Sequence, residues 1–116
     1  MLLGYGDGRF DEMIPYPTGT DSAPSSVAIA HFNNDTHLDI VVTNSQTDDI
    51  LILLGYGNGT FGNGINYSTG TRSYPYIVKT GDFNNDNITD IAVANYGTSN
   101  ILLFYGHGDR RFGNRT

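Results

Sequence analysis

The chain has no cysteine and no tryptophan, and sets six lysines and arginines against twelve aspartates and glutamates. Without cysteine there is neither a disulfide framework nor a thiolate zinc site, and nothing fixes the redox compartment. A formal net charge of −6, with the few basic residues scattered, leaves no basic patch for a nucleic-acid partner. The longest apolar run, Ile50 to Leu54, falls far short of the roughly 20 residues that cross a bilayer, so no membrane partner is expected. The opening MLLGYGDG lacks the basic start and apolar core of a signal peptide. Groups for catalysis are also scarce. Only His31, His37 and His107 offer a base near neutral pH, and Ser45 and Ser99 stand in turns with nothing to activate them. The glycines of GYGNG are followed by neither the helix nor the lysine of a phosphate loop. The expectation is a protein without enzymatic activity.

Glycine (15), tyrosine (8) and phenylalanine (6) are plentiful in the 116 residues, a mix that favours short strands and tight turns in one domain. The chain also repeats itself at an offset of 51 residues without a gap. Between residues 12–62 and 63–113, 23 of 51 positions are identical, and YPTGTDSAP lines up with YSTGTRSYP. Such a period indicates a solenoid, propeller or array built from one supersecondary unit. Each repeat reads as four strands: VAIAHF (27–32), LDIVVTN (38–44), ILILLGY (50–56) and INYSTG (65–70). In the second copy YIVKTGDF, TDIAVAN and ILLFYG follow the same plan, and the chain then stops before a fourth. The two middle strands are almost continuously apolar, which predicts burial on both faces, and the polar fourth suits an outer edge. The fold class expected is therefore all-β, in four-stranded antiparallel propeller blades. Residues 1–19 would give the third and fourth strands of a partial blade, 20–70 a complete blade, and 71–116 a second partial one. A two-sheet sandwich is the alternative, but it has no need of a strict period.

The charge collects in one place. GDFNNDNITDI (81–91) sets Asp82, Asn84, Asp86 and Asp90 at positions one, three, five and nine of a loop between strands, and Ile88 at position seven offers its carbonyl. Hard cations such as Ca²⁺ take oxygen ligands at alternating positions of a tight loop. Without an ion, three converging carboxylates should repel one another and raise each other's pKa. An Asn- and Asp-rich turn that caps its own backbone is the metal-free alternative. In the first repeat, AHFNNDTHLDI keeps Asn33, Asp35, the His37 carbonyl and Asp39, but His31 replaces the leading carboxylate. That makes 31–39 a degenerate calcium loop, with His31 a degraded ligand and His37 an exposed loop residue; a transition-metal pair of the two is the lesser reading. Thr36 also stands where positive φ is often needed, which a β-branched residue resists.

GDFNNDNITDIAVAN, followed by an apolar strand and GHGDRRF, resembles the FG-GAP/VCBS repeats of integrin-α-like β-propellers. The resemblance covers nearly the whole chain, with Asn87 where the family prefers glycine. It implies Ca²⁺ held by Asp82, Asn84, Asp86, the Ile88 carbonyl and Asp90, and an extracellular or cell-surface role in recognition or adhesion, with a protein or glycan ligand. Tyr56, Tyr74, Tyr76 and Tyr96 admit a carbohydrate platform and hence a lectin; a purely structural, self-assembling repeat is the other alternative. Of the sequons at Asn34, Asn58, Asn66, Asn87 and Asn114, the two inside the metal loops are read as unoccupied. Finally, residues 1–14 are homologous to 103–116. A fourth strand from one chain, MIPYPTG, would then complete the last blade of the next by edge pairing, giving a head-to-tail ring of three or four chains.

Overall fold

The computed structural model describes Gly4, Gly6 and residues 15–32, 37–58, 60–62, 64–107 and 112–115. These form eight strands: β1 (Pro24–Ala30), β2 (Asp39–Asn44), β3 (Asp49–Leu53), β4 (Ile65–Ser68), β5 (Pro75–Gly81), β6 (Asp90–Asn95), β7 (Asn100–Gly106) and β8 (Phe112–Arg115). They make two four-stranded antiparallel meanders, β1-β2-β3-β4 and β5-β6-β7-β8. Among the described residues no helix is long and apolar enough to cross a membrane.

The repeat holds at the level of single bonds. A bulge separates the pairs Pro24–Asn44 and Ser26–Thr43, and the same bulge separates Pro75–Asn95 from Ile77–Ala94. Proline has no N–H to give the ladder, so the irregularity falls where a bond is already missing. Left-handed residues also come in equivalent pairs: Asp21 and Arg72, Ala23 and Tyr74, Asp48 and Ser99. The aligned YPTGTDSAP and YSTGTRSYP make the same hydroxyl–hydroxyl bond in each repeat. Thr18 Oγ1 lies 2.7 Å from Ser22 Oγ, and Thr69 Oγ1 lies 2.6 Å from Ser73 Oγ.

One element departs from expectation. The second sheet does not end at its third strand, because β8 returns along β7 and pairs Phe112 with Gly106 and Arg115 with Phe104. The first sheet makes the equivalent bridge, Gly55 to Phe61, at the mouth of its own hairpin. β8 lies along Phe104–Gly106, whereas β4 pairs with Asp49–Ile52 in the first sheet, the stretch equivalent to Asn100–Leu103 of the second. Of the N-terminal partial blade, residues 15–19 are described and are not in a strand, while most of 1–14 lies outside the described residues.

The core lies between the sheets. Period-two alternation puts Val41, Ile50 and Ile52 on one face of the first sheet. Val78, Ile91, Val93 and Phe104 share one face of the second, and all seven are buried in one cluster with Phe32. The faces are not equivalent ones. Val93 corresponds to Val42, on the opposite side of β2 from Val41, so the sheets stack back to front, with β5 against β1 and β2. Polar bonds cross the seam: Ser25 Oγ–H donates to the Pro75 carbonyl (3.1 Å), and the Val78 N–H donates to Ser26 Oγ (3.4 Å). Edge-to-face rings span it as well. Phe32 meets Phe112 at 5.5 Å between centroids, and Tyr67 meets Phe112 at 5.8 Å and Phe104 at 6.1 Å. As expected, β3 is buried on both faces and β2 nearly so, but β7 exposes Ile101 because its outer face has no cover.

Candidate metal centre

The acidic loop joins β5 to β6 on the exposed end of the second sheet. Asn85 and Asn87 adopt left-handed φ of 63° and 64°. Asparagine tolerates that region far better than most side chains, which accounts for Asn87 where glycine would be the usual choice. The two left-handed residues curl the chain around Asp82, whose Oδ1 accepts from the Asp86 N–H (3.1 Å) and whose Oδ2 accepts from the Asn87 N–H (2.7 Å). Asp86 Oδ1 in turn accepts from the Ile88 N–H at 3.0 Å. Asn84 sits in the same exposed turn, and Ile88 is half-buried where the turn closes.

Asp90 plays a second part that its loop position did not reveal. It is fully buried at the start of β6, where Oδ2 accepts from the Phe83 N–H (2.9 Å) and Oδ1 from the Gly106 N–H (2.8 Å). One carboxylate thereby ties the loop's entry to the end of β7. Asp39 repeats the arrangement with the N–H groups of Phe32 (2.9 Å) and Gly55 (2.8 Å). The glycines are required by close approach: a Cβ on Gly55 would stand 2.2 Å from the Leu38 carbonyl oxygen, and one on Gly106 2.4 Å from that of Thr89. The sequence signal was an aspartate opening each apolar strand with a glycine 16 residues on, in both repeats.

Carboxylate oxygens of Asp82, Asp86 and Asp90 come within 4.8 Å of one another. An all-oxygen set with no sulfur or imidazole fits a hard cation such as Ca²⁺. The expected mutual rise in pKa is not what Asp82 shows. Desolvation does favour its neutral form, but the N–H groups of Asn87, Asp86 and Asn85, and a bond with the Asp86 side chain, outweigh it and hold the carboxyl below its ordinary 3.8. The loop is thus built to receive a charged Asp82.

The first loop differs at the same point. Asn33 and Asp35 lie outside the described residues, as does Thr36. His31 is exposed, and its Nδ1–H donates to the His37 carbonyl at 2.9 Å, the carbonyl equivalent to that of Ile88. A donor therefore occupies the position from which Asp82 accepts, and it engages an oxygen otherwise offered to an ion. His37 is half-buried where an exposed residue was expected. Its ring lies against Gly57, where a Cβ would come within 2.4 Å of Nδ1.

Sequence reasoning also missed Asp48. In the β2–β3 turn its carboxylate accepts from the N–H groups of Arg72 (2.8 Å) and Tyr74 (3.0 Å), binding the first sheet's turn to the segment that enters the second. Arg72 and Tyr74 are the left-handed residues of that segment, so Asp48 holds the strained conformation in place.

Searches of curated proteins and of solved structures return no match. The family profile described as FG-GAP-like repeat matches residues 31–93, more than half of the chain, running from the first acidic loop through the second into β6. With two copies of the same strand–loop–strand unit inside and around that span, the chain belongs to the FG-GAP-like repeat family.

Proposed function

We propose that the chain is a calcium-binding pair of propeller-type blades that serves, without catalysis, as an extracellular recognition or adhesion scaffold. The observation that carries this reading is the meeting of Asp82, Asp86 and Asp90 within 4.8 Å on a loop of an FG-GAP-like repeat. Asp82, Asn84, Asp86, the Ile88 carbonyl and Asp90 are the ligands of the stronger site. Asn33, Asp35, the His37 carbonyl and Asp39 form a weaker one, because His31 supplies no carboxylate. The ion's role is structural: it neutralises the loop and stiffens the β5–β6 connection. Calcium should raise the melting temperature, with a stabilisation of about 2.7 kcal/mol at a hundredfold excess over Kd. Asp86→Ala should remove most of that rise and Asp35→Ala much less. Identical melting curves in calcium and in EDTA would sink the proposal.

A glycan ligand is the second reading, and one observation favours it. Tyr74 and Tyr96 form an exposed edge-to-face pair at 6.2 Å where the first repeat has Ala23 and Ser45. They flank a cleft of about 480 Å³ that also presents Gln46, Asp48 and Arg72. Aromatic faces beside amide and guanidinium donors suit a sugar ring. A glycan array on the wild type and on Tyr96→Ser distinguishes the readings: no bound glycan, or equal signal from both proteins, removes the lectin.

A further inference from the structure

The connection between β3 and β4 closes as a tight hairpin. The Gly62 N–H donates to the Leu54 carbonyl (2.9 Å), Gly55 bridges Phe61, and the Tyr56 N–H donates to the Thr60 carbonyl (3.0 Å). At its tip stand Asn58 and Thr60, both exposed. Asn58 Oδ1 accepts from the Thr60 N–H (3.1 Å) and from Thr60 Oγ1–H (2.5 Å). A backbone N–H can only donate, so the amide atom that faces it is the oxygen. Nδ2 therefore points out of the turn, and no described residue takes a bond from it.

The sequence carries three copies of this turn: GYGDGRF (4–10), GYGNGTF (55–61) and GHGDRRF (106–112). The middle copy differs from both others at two positions only, with Asn58 in place of aspartate and Thr60 in place of arginine. Aspartate would accept from the Thr60 N–H as well as asparagine does, so the turn itself needs neither change. Together the two changes create Asn-Gly-Thr, the acceptor pattern for N-linked glycans. The other sequons are less well placed. Asn66 Nδ2 is engaged, donating to Asp49 Oδ2 at 3.2 Å, and the neighbouring Tyr67 packs in the seam. Asn87 is part of the acidic loop, its N–H bound to Asp82. Asn34 lies outside the described residues, as does the side chain of Asn114.

We propose that Asn58 is the chain's N-glycan acceptor, modified by a transferase that uses an oligosaccharide linked to a polyprenyl pyrophosphate. Nδ2 forms a bond to the anomeric carbon of the first sugar as that carbon's bond to the pyrophosphate oxygen breaks. The bonding pair leaves with the lipid pyrophosphate, one amide proton passes to a base of the transferase, and nothing is oxidised or reduced. The sugar replaces one hydrogen of Nδ2 and leaves Oδ1 its two bonds from Thr60, so the turn carries a glycan without rearranging. The site rests on the extracellular reading, since the modification belongs to surface loops of secreted chains.

The test is to secrete the full chain from cultured eukaryotic cells behind a supplied signal sequence. Intact mass gives the number of glycans. Peptide-N-glycanase digestion in heavy-oxygen water then marks each formerly glycosylated asparagine as labelled aspartate. In the wild type the glycan should map to Asn58. Asn58→Asp and Thr60→Arg each restore the residue of the flanking copies, so both should fold, which circular dichroism checks, and both should lose the Asn58 glycan. Asn66→Gln should keep it. A secreted wild type without sugar overturns the proposal, and sugar on other sequons with Asn58 bare overturns it equally. Because secretion is imposed, either result leaves the extracellular reading standing. Fractionation of the native cells tests that reading separately, and a native chain found in the cytosol overturns it.

Discussion

Asp39 and Asp90 do the same work at the same depth, each holding two backbone N–H groups beside the loop it closes. A carboxylate whose two oxygens each accept a buried backbone N–H serves the fold with or without an ion, because removing it leaves two donors without partners. Asp39→Asn keeps the shape but gives one oxygen in place of two, and turns an N–H₂ towards an N–H. It should cost about 2–3 kcal/mol, or a fall of about 10 °C in Tm, with or without calcium. Equal stability of the variant and the wild type in EDTA would refute this role. Asp82 is the opposite case, an exposed carboxylate shaped by the turn around it. Its folded pKa lies below the unfolded 3.8, so its contribution is whole above that value and is lost as pH falls through the lowered one. In EDTA, Asp82→Asn should therefore flatten the decline of stability below about pH 4. A decline as steep in the variant as in the wild type contradicts the assignment.

At the scale of elements, seven of the eight strands were legible because apolar runs and turn residues recur at a fixed offset. The ends were less so: β1 begins at Pro24, three residues before VAIAHF, since a bulge lets the chain pair ahead of its apolar run. β8 was missed for a related reason. FGNR carries no alternation and its strand exists through backbone pairing with β7, which composition does not encode. The acidic loop was legible from its spacing, but the polarity of its bonds was not: nothing in NNDN says that N–H groups converge on Asp82. Glycines divide likewise. Gly55 reads as a hairpin glycine, yet its φ is ordinary and it is required by the approach of the Leu38 carbonyl. Gly55→Ala should force the hairpin away from β2 and cost about 2–3 kcal/mol. Urea unfolding measures it, and a change in midpoint too small to detect would show that the approach is relaxed at no cost.

The described residues make two sheets that share a core, and that core sets the cooperativity of unfolding. Neither sheet buries Val41, Ile52, Val78 or Val93 alone, so separation and unfolding should be one event. Thermal curves followed by far- and near-ultraviolet circular dichroism should then coincide; a near-ultraviolet transition that clearly precedes the other would mean that the sheets part first. The near-ultraviolet signal has an identifiable source. With no tryptophan in the chain, tyrosine dominates the optical spectrum. Tyr67, on β4 of the first sheet, meets Phe104 and Phe112 of the second edge-on. Its ring is the one tyrosine among these seam contacts, held in a chiral field that exists only while the sheets touch. The molecule therefore carries its own optical gauge of sheet separation. A Tyr67→Phe variant silences that gauge with little change in packing, and the difference spectrum against the wild type isolates the seam from the other seven tyrosines.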